Sequence, residues 1–369
     1  MKYKAITKGE KPDGGYSLYV ALHGGGRVSE KDNDEAWRQM QANYVRSIQQ
    51  GIYLAPRGIT NTWDMHFQPE SYILYDRLIE NMILFEAVDP DKIYLLGYSA
   101  GGDGVYQIAS RMADRWAAAS MSAGHPNSVD LRNLASLPIT LQVGETDGSY
   151  DRNLQTAKMD DILKSLTEKD PGSYNHKTWI HVEKGHTIPD NDPDELLNPV
   201  LLDPYKWMAH GIRNTTEVNT NAVHWLSRFV RNPRPERVVW DIETRADRRA
   251  ESFWHHGGHG QQHYWIDIGD HSAKTLGVDT IIVALDRTHN MIRVEKAGKY
   301  LRLLVDAEML NFDEPVQILV DGRIHTVRVR PNHDLSMETV KQRGDPRYIF
   351  DASITVTLTS EGLYDVKCN

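Results

Sequence analysis

The segment IYLLGYSAGGDG, residues 93–104, runs four consecutive apolar residues directly into Gly97, Gly101, Gly102 and Gly104, with Ser99 among them. Glycine weakens the interior of any regular element but permits sharp turns and close backbone approach. Four of them at the end of an apolar run therefore mark a strand that stops abruptly against its neighbours. The stretch DGVYQIASRMADR that follows has helical character, so the local order is strand, tight turn, helix.

The first 230 residues repeat this alternation. Short apolar runs at 17–22, 52–55, 93–96, 117–121, 139–143 and 178–182 read as buried strands. Between most of them lie amphipathic stretches. One, SYILYDRLIENMILFEAV, carries Leu74, Leu78, Met82 and Phe85 at helical spacing, and the DPDK after it predicts a turn. Strands alternating with helices predict an α/β fold, a mostly parallel sheet covered on both faces. The segment RNPRPER, residues 231–237, reads as a linker, beyond which helical periodicity largely disappears. Candidate strands follow at 238–242, 264–268, 280–285, 300–305, 316–320, 325–330 and 353–358, and Asp321-Gly322 signals a hairpin. The expected organisation is an α/β catalytic domain over 1–232 and a smaller antiparallel β-sandwich domain over 233–369.

Net charge is −9, which argues against a nucleic-acid partner, since such proteins present a basic face. No apolar run is long enough to span a membrane, and no signal-peptide h-region is visible at the start, so a cytoplasmic location is expected. The single cysteine, Cys368, excludes internal disulfides.

A strand followed by Gly-x-Ser-x-Gly and a helix is a nucleophile-elbow pattern: the turn forces the serine into a strained conformation with its hydroxyl exposed. The residues two before and two after the serine must be tiny, as Gly97 and Gly101 are. A phosphate-binding P-loop requires Lys and Ser/Thr after its last glycine, and a dinucleotide fingerprint requires a different glycine spacing; neither is met here. Earlier, LYVALHGGGR places His23-Gly24-Gly25-Gly26 at another strand end. Backbone amides of Gly24, Gly25 and Ala100, the residue after the serine, are the candidate oxyanion donors.

A serine hydroxyl needs a base, and on this scaffold acid and then base follow the serine in the chain. Asp147 lies just past the strand ITLQV, and His186 just past TWIHV. Ser99, His186 and Asp147 are thus the candidate nucleophile, base and orienting acid. Glu145, Asp151 and Asp190 are competing acids, whereas His181, inside its strand, reads as a packed histidine.

The motifs LHGGG, APRG, GYSAGGDGVYQIASRMADRW, VGETD and GH resemble the α/β-hydrolase superfamily, and within it the esterase and polyhydroxybutyrate-depolymerase-like group, over residues 15–230. The resemblance implies a serine hydrolase with an acyl-enzyme intermediate, no cofactor, and a small-molecule or saccharide-linked ester as substrate. A peptidase on the same scaffold, or a non-catalytic carbohydrate- or partner-binding protein, are the alternatives. His23, Trp63 and His125, at or near strand ends, are the expected pocket-lining residues, Trp63 either as an apolar wall or as a cap on the core. Val223, Leu226 and Val230 mark one face of a late helix. His255, His256, His259 and His263 fall in a glycine-rich stretch that reads as a hairpin loop rather than a metal site.

Overall fold

The computed structural model describes residues 1–192, 197–209, 211–242 and 261–368. His255, His256 and His259 lie outside these residues. Two compact units are present, Met1–Arg231 and Asn232–Asn369.

The first unit is built on a nine-stranded sheet in the order β1-β3-β2-β4-β5-β6-β7-β8-β9. The strands are β1 (Tyr3–Lys8), β2 (Tyr16–Leu22), β3 (Gly51–Pro56), β4 (Val88–Tyr98), β5 (Ala118–Ser122), β6 (Ile139–Gly144), β7 (His176–His181), β8 (Leu197–Leu201) and β9 (Thr216–Asn219). β2 to β7 run parallel, while β1, β8 and β9 add antiparallel edges. Helices α1 (Glu30–Asn43), α2 (Pro69–Phe85), α3 (Ala100–Arg111) and α4 (Arg152–Lys169) make the crossovers, and α5 (Ala222–Leu226) follows β9. Strand order reverses at β2, which lies between β3 and β4. The C-terminal ends flanking such a reversal form a crevice, and ligands collect there.

Both faces of this sheet are covered, which is why its strands read as continuous apolar runs. Tyr19, Ala21, Tyr53, Ala55, Tyr94 and Leu96 share one core with Met40 of α1 and Trp225 of α5. The alternate residues Leu18, Val20, Leu54 and Leu95 are fully buried as well.

The sequence expectations need three adjustments in this unit. The buried face of α2 is Tyr72, Tyr75, Leu78, Ile79 and Met82, and Phe85 is exposed because the helix ends there. The DPDK segment belongs to β4, whose first residue pairs with Tyr16 across a register shift. Helix α5 stops at Leu226, so Val230 escapes its apolar face and is exposed.

The second unit holds two five-stranded sheets. One has the order β10 (Arg237–Asp241), β13 (Thr280–Asp286), β14 (Met291–Lys296), β16 (Val316–Val320), β17 (Arg323–Val327). The other has β11 (Gln262–His263), β12 (Ile266–Asp267), β15 (Tyr300–Val305), β18 (Ala352–Leu358), β19 (Tyr364–Cys368). Trp240, Ile281 and Ile318 from the first sheet and Leu301, Leu303 and Ile354 from the second join one core. Pairing is antiparallel except between β14 and β16, which are parallel, so the unit is not the purely antiparallel arrangement expected. It also contains helix α6 (His333–Arg343), whose apolar stripe is too thin to show as periodicity. Asp321 and Gly322, at φ 49° and 71°, close the β16–β17 hairpin and set its register, Val320 opposite Arg323.

Candidate active site

The elbow follows from a packing conflict that only two missing side chains resolve. A Cβ on Gly97 would lie 2.1 Å from the Gly101 carbonyl oxygen, and one on Gly101 would lie 2.1 Å from the Leu22 carbonyl oxygen. β4, the first turn of α3 and the end of β2 therefore meet backbone to backbone. Ser99, held between them, adopts φ 59° and ψ −121°, a conformation that non-glycine residues rarely accept.

Three side chains from three strand ends converge at that point. Ser99 Oγ lies 2.9 Å from His186 Nε2, and His186 Nδ1 lies 2.8 Å from Asp147 Oδ2. A carboxylate can only accept, so Nδ1 carries the proton between them, and Nε2 is the ring atom that faces the serine hydroxyl. The Asp147 side chain is 2% exposed, whereas His186 is 43% exposed, so the relay runs from the interior to the solvent.

Two of the three rival acids are engaged elsewhere. Glu145 accepts the Glu183 backbone N–H at 2.8 Å and pairs with Arg213 at 3.1 Å. Asp151 precedes α4 in a left-handed conformation, with no side-chain cap on that helix. Asp190 accepts from Tyr44 Oη at 2.6 Å and from Ser122 Oγ at 2.5 Å. His181 is buried against Gln142, at 3.0 Å, and burial pushes its pKa down to about 3.

The His-Gly-Gly-Gly loop sits directly over the elbow: a Cβ on Gly24 would be 3.2 Å from that of Ser99. The Gly26 N–H donates to Asn33 Oδ1 at 2.7 Å, so this amide is already occupied. His23, expected in the pocket wall, is instead fully buried and lines neither cavity described below. Its Nδ1–H donates to the Gly24 carbonyl at 2.6 Å, and its Nε2 accepts the Gly58 N–H at 3.0 Å. Burial lowers its pKa to about 4, which keeps the ring neutral and able to serve both bonds. His23 thus ties the loop after β2 to the loop after β3.

Two cavities flank the serine. One of about 410 Å³ is lined by Ser99, His186, Thr187, Gly24 and Met40. The other, about 330 Å³, is lined by Gly25, Ala100, Trp63, His125, Tyr150 and Arg152, among others. Trp63 and His125 are therefore wall residues.

An apolar run into an elbow at a strand-order reversal, with a serine–imidazole–carboxylate relay, is a recognisable constellation. No family model matches the chain, and no curated protein matches it. Solved structures that do match include a thermostable esterase, 21% identical, TM-score 0.36, covering 48% of this chain and 50% of that one. A poly(3-hydroxybutyrate) depolymerase from Bordetella parapertussis is 14% identical, TM-score 0.39, covering 50% and 78%. An S-formylglutathione hydrolase from Agrobacterium tumefaciens is 15% identical, TM-score 0.37, covering 50% and 82%. The chain thus spans about half the length of the thermostable esterase.

Sequence reasoning missed the residues that hold this site from behind. Asn33 secures the glycine loop, and Tyr98 Oη donates to the His186 carbonyl at 2.6 Å while accepting the Ile188 N–H at 2.9 Å. Nothing local marks Asn33. Tyr98 adjoins the nucleophile, which is the one signal that could have singled it out. No helix among the described residues is long and apolar enough to cross a membrane.

Proposed function

We propose that the first unit is a serine hydrolase that cleaves carboxylic esters through an acyl-enzyme. The reading rests on one observation above all: Ser99 Oγ, the His186 ring and the Asp147 carboxylate form a continuous hydrogen-bonded line at 2.9 and 2.8 Å. In this reading Ser99 Oγ attacks the ester carbonyl carbon as its proton passes to His186 Nε2. The resulting imidazolium is stabilised by Asp147. The tetrahedral oxyanion faces the amide of Ala100 and those of Gly24 and Gly25, the Gly26 amide being taken by Asn33. Collapse breaks the bond to the alcohol, which leaves with the proton from Nε2. Water then attacks the acyl-enzyme by the same route and releases the acid. The strained Ser99 backbone supports the assignment, because such strain persists where a hydroxyl has to be presented.

The substrate in this reading is a small or saccharide-linked ester, and the two sheets of the second unit form an accessory β-sandwich. A fluorophosphonate probe tests the nucleophile: one label per chain is expected, lost in a folded Ser99→Ala variant. Wild-type protein that stays unlabelled would favour a binding role instead. Matched p-nitrophenyl esters and p-nitroanilides separate ester from amide cleavage; the expected outcome is turnover of the esters, and faster turnover of the anilides would reassign the enzyme as a peptidase.

A further inference from the structure

Resting on the reading of Ser99 as nucleophile, we propose that the cavity beside Ala100 receives an acyl group ending in an anion, so that the substrate is a half-ester of a dicarboxylic acid.

Position comes first. The tetrahedral centre on Ser99 has three outward groups: the oxyanion, the leaving alcohol and the acyl chain. His186 must reach the leaving oxygen, and it lines the cavity of about 410 Å³, so the alcohol side lies there. The cavity of about 330 Å³ shares Gly25 with the first, but it reaches the site through Ala100, the residue after the nucleophile, and is not lined by His186. It is therefore the acyl side.

Its chemistry is cationic. Arg27 and Arg152 both line it, on a chain whose net charge is −9. Among the described residues the exposed Arg27 side chain makes no hydrogen bond or ion pair, although its backbone is held left-handed at φ 51°. The Arg152 side chain is only 11% exposed. Its Nη1 reaches the Ser149 carbonyl at 3.3 Å and lies 3.6 Å from Asp147 Oδ1, but its Nε has no hydrogen-bond partner. A buried N–H left unpaired is costly, and an incoming anion removes that cost.

The lining carries one carboxyl group, Asp103. Its Oδ1 already accepts the His125 N–H at 2.7 Å, and burial raises its pKa. Two aromatic rings supply the wall for a hydrocarbon stem. Trp63 is one, and the other is Tyr150, whose ring lies 5.0 Å from the Arg152 guanidinium. Tyr150 and Asp151 are consecutive non-glycine residues at φ 57° and 55°, so backbone strain is maintained at this point in the wall. A neutral alkyl chain would use the rings but leave Arg27 and the Arg152 Nε–H unpaired.

The test compares monomethyl glutarate with the methyl ester of glutaramic acid, which has the same shape and a neutral end. The expected kcat/KM is about tenfold or more higher for the carboxylate at low salt, a difference of about 1.4 kcal/mol. That ratio should shrink with ionic strength and move toward one in Arg27→Gln and in Arg152→Gln. Fluorophosphonate labelling runs alongside on the same protein. A ratio of one or below with Ser99 still labelled overturns the anionic pocket and leaves the hydrolase reading intact. An unlabelled serine overturns both. If Ser99 is labelled but neither ester turns over, protection decides: monomethyl glutarate slowing the labelling more than the glutaramic acid methyl ester does, an advantage lost in Arg27→Gln, supports the pocket, and equal protection overturns it.

Discussion

The stretch from His186 to Asp190 carries two polar assemblies that use the same residue types to opposite ends. At its start, the exposed His186 joins the buried Asp147 to the half-buried hydroxyl of Ser99. At its end Asp190, 1% exposed, is closed in by the hydroxyls of Tyr44 and Ser122. Each assembly contains one buried carboxylate. Only the first has a titratable partner that reaches solvent, and only the first can pass a proton to something outside. The second ties together three buried side chains, from the end of α1, from β5 and from the segment after β7. Aspartate beside a hydroxyl is therefore not itself a signature of chemistry; the route to solvent makes the difference.

The sharpest way to break this contrast is to remove the imidazole. On the proposed reading His186→Ala lowers kcat by about 10⁵-fold or more, comparable to the loss of a base in other triads. Steady-state kinetics on an activated ester would check it, and a loss under tenfold would mean that the first assembly moves no proton. Asp147→Asn comes next. The amide can offer its N–H to Nδ1 and so impose the wrong tautomer, for a loss of about 10⁴-fold in kcat with KM little changed. If Asp190→Asn gave that loss instead, the two assemblies would have to exchange roles.

Stability against pH sharpens the comparison from the other side. Burial raises the Asp190 carboxyl from 3.8 to about 6. Between those values the folded chain holds a proton that the unfolded chain has lost, so this group's contribution to stability falls as pH rises through the window. His23 runs in the opposite sense. Its pKa is lowered from 6.5 to about 4, so between pH 4 and 6.5 the unfolded chain binds the extra proton, and stability rises with pH. The two windows overlap and partly cancel. Asp190→Asn should remove one arm and leave stability rising more steeply from pH 4 to 6.5, by about 2 kcal/mol over the window. Denaturant midpoints at several pH values measure this, and an unchanged profile would show that Asp190 does not titrate there.

Much of this was legible in the chain because packing left so few choices. Gly97 and Gly101 are the only residue type that the backbone contacts at the elbow tolerate, so the turn announces itself. Continuous apolar runs gave the parallel strands β2 to β7, since a strand buried on both faces has no polar side to show. The order serine, acid, base pointed to Asp147 and His186, and the geometry brings His186 to Ser99 and Asp147 to His186. The edges were harder. β1, β8 and β9 are half-exposed and mixed in composition, and β14 pairs in parallel with β16, which no local pattern encodes. His23 was legible as a member of the loop but not in its task. Whether a histidine at a strand end faces a cavity or the core depends on what stands behind it, here Gly58 and His66 from a distant segment.

The smallest predicted effect concerns the strut between the two assemblies. Tyr98 Oη donates to the His186 carbonyl and accepts the Ile188 N–H, so one phenol fixes the backbone on both sides of Thr187. It touches no reacting atom, and its influence on turnover has to pass through the placement of the imidazole. Tyr98→Phe keeps the ring, which stands 5.9 Å from that of His186, and deletes only the hydroxyl. The Ile188 N–H is then left to find another partner, at a cost of about 1–2 kcal/mol in stability. If the strut does no more than hold the fold, kcat at temperatures well below unfolding stays at the wild-type value. If it positions the base, kcat falls about tenfold while KM hardly moves, because near-attack geometry is sensitive to small displacements. The second outcome is expected. A variant with lowered Tm and wild-type kcat would confine Tyr98 to the holding assembly and leave His186 oriented by Asp147 alone.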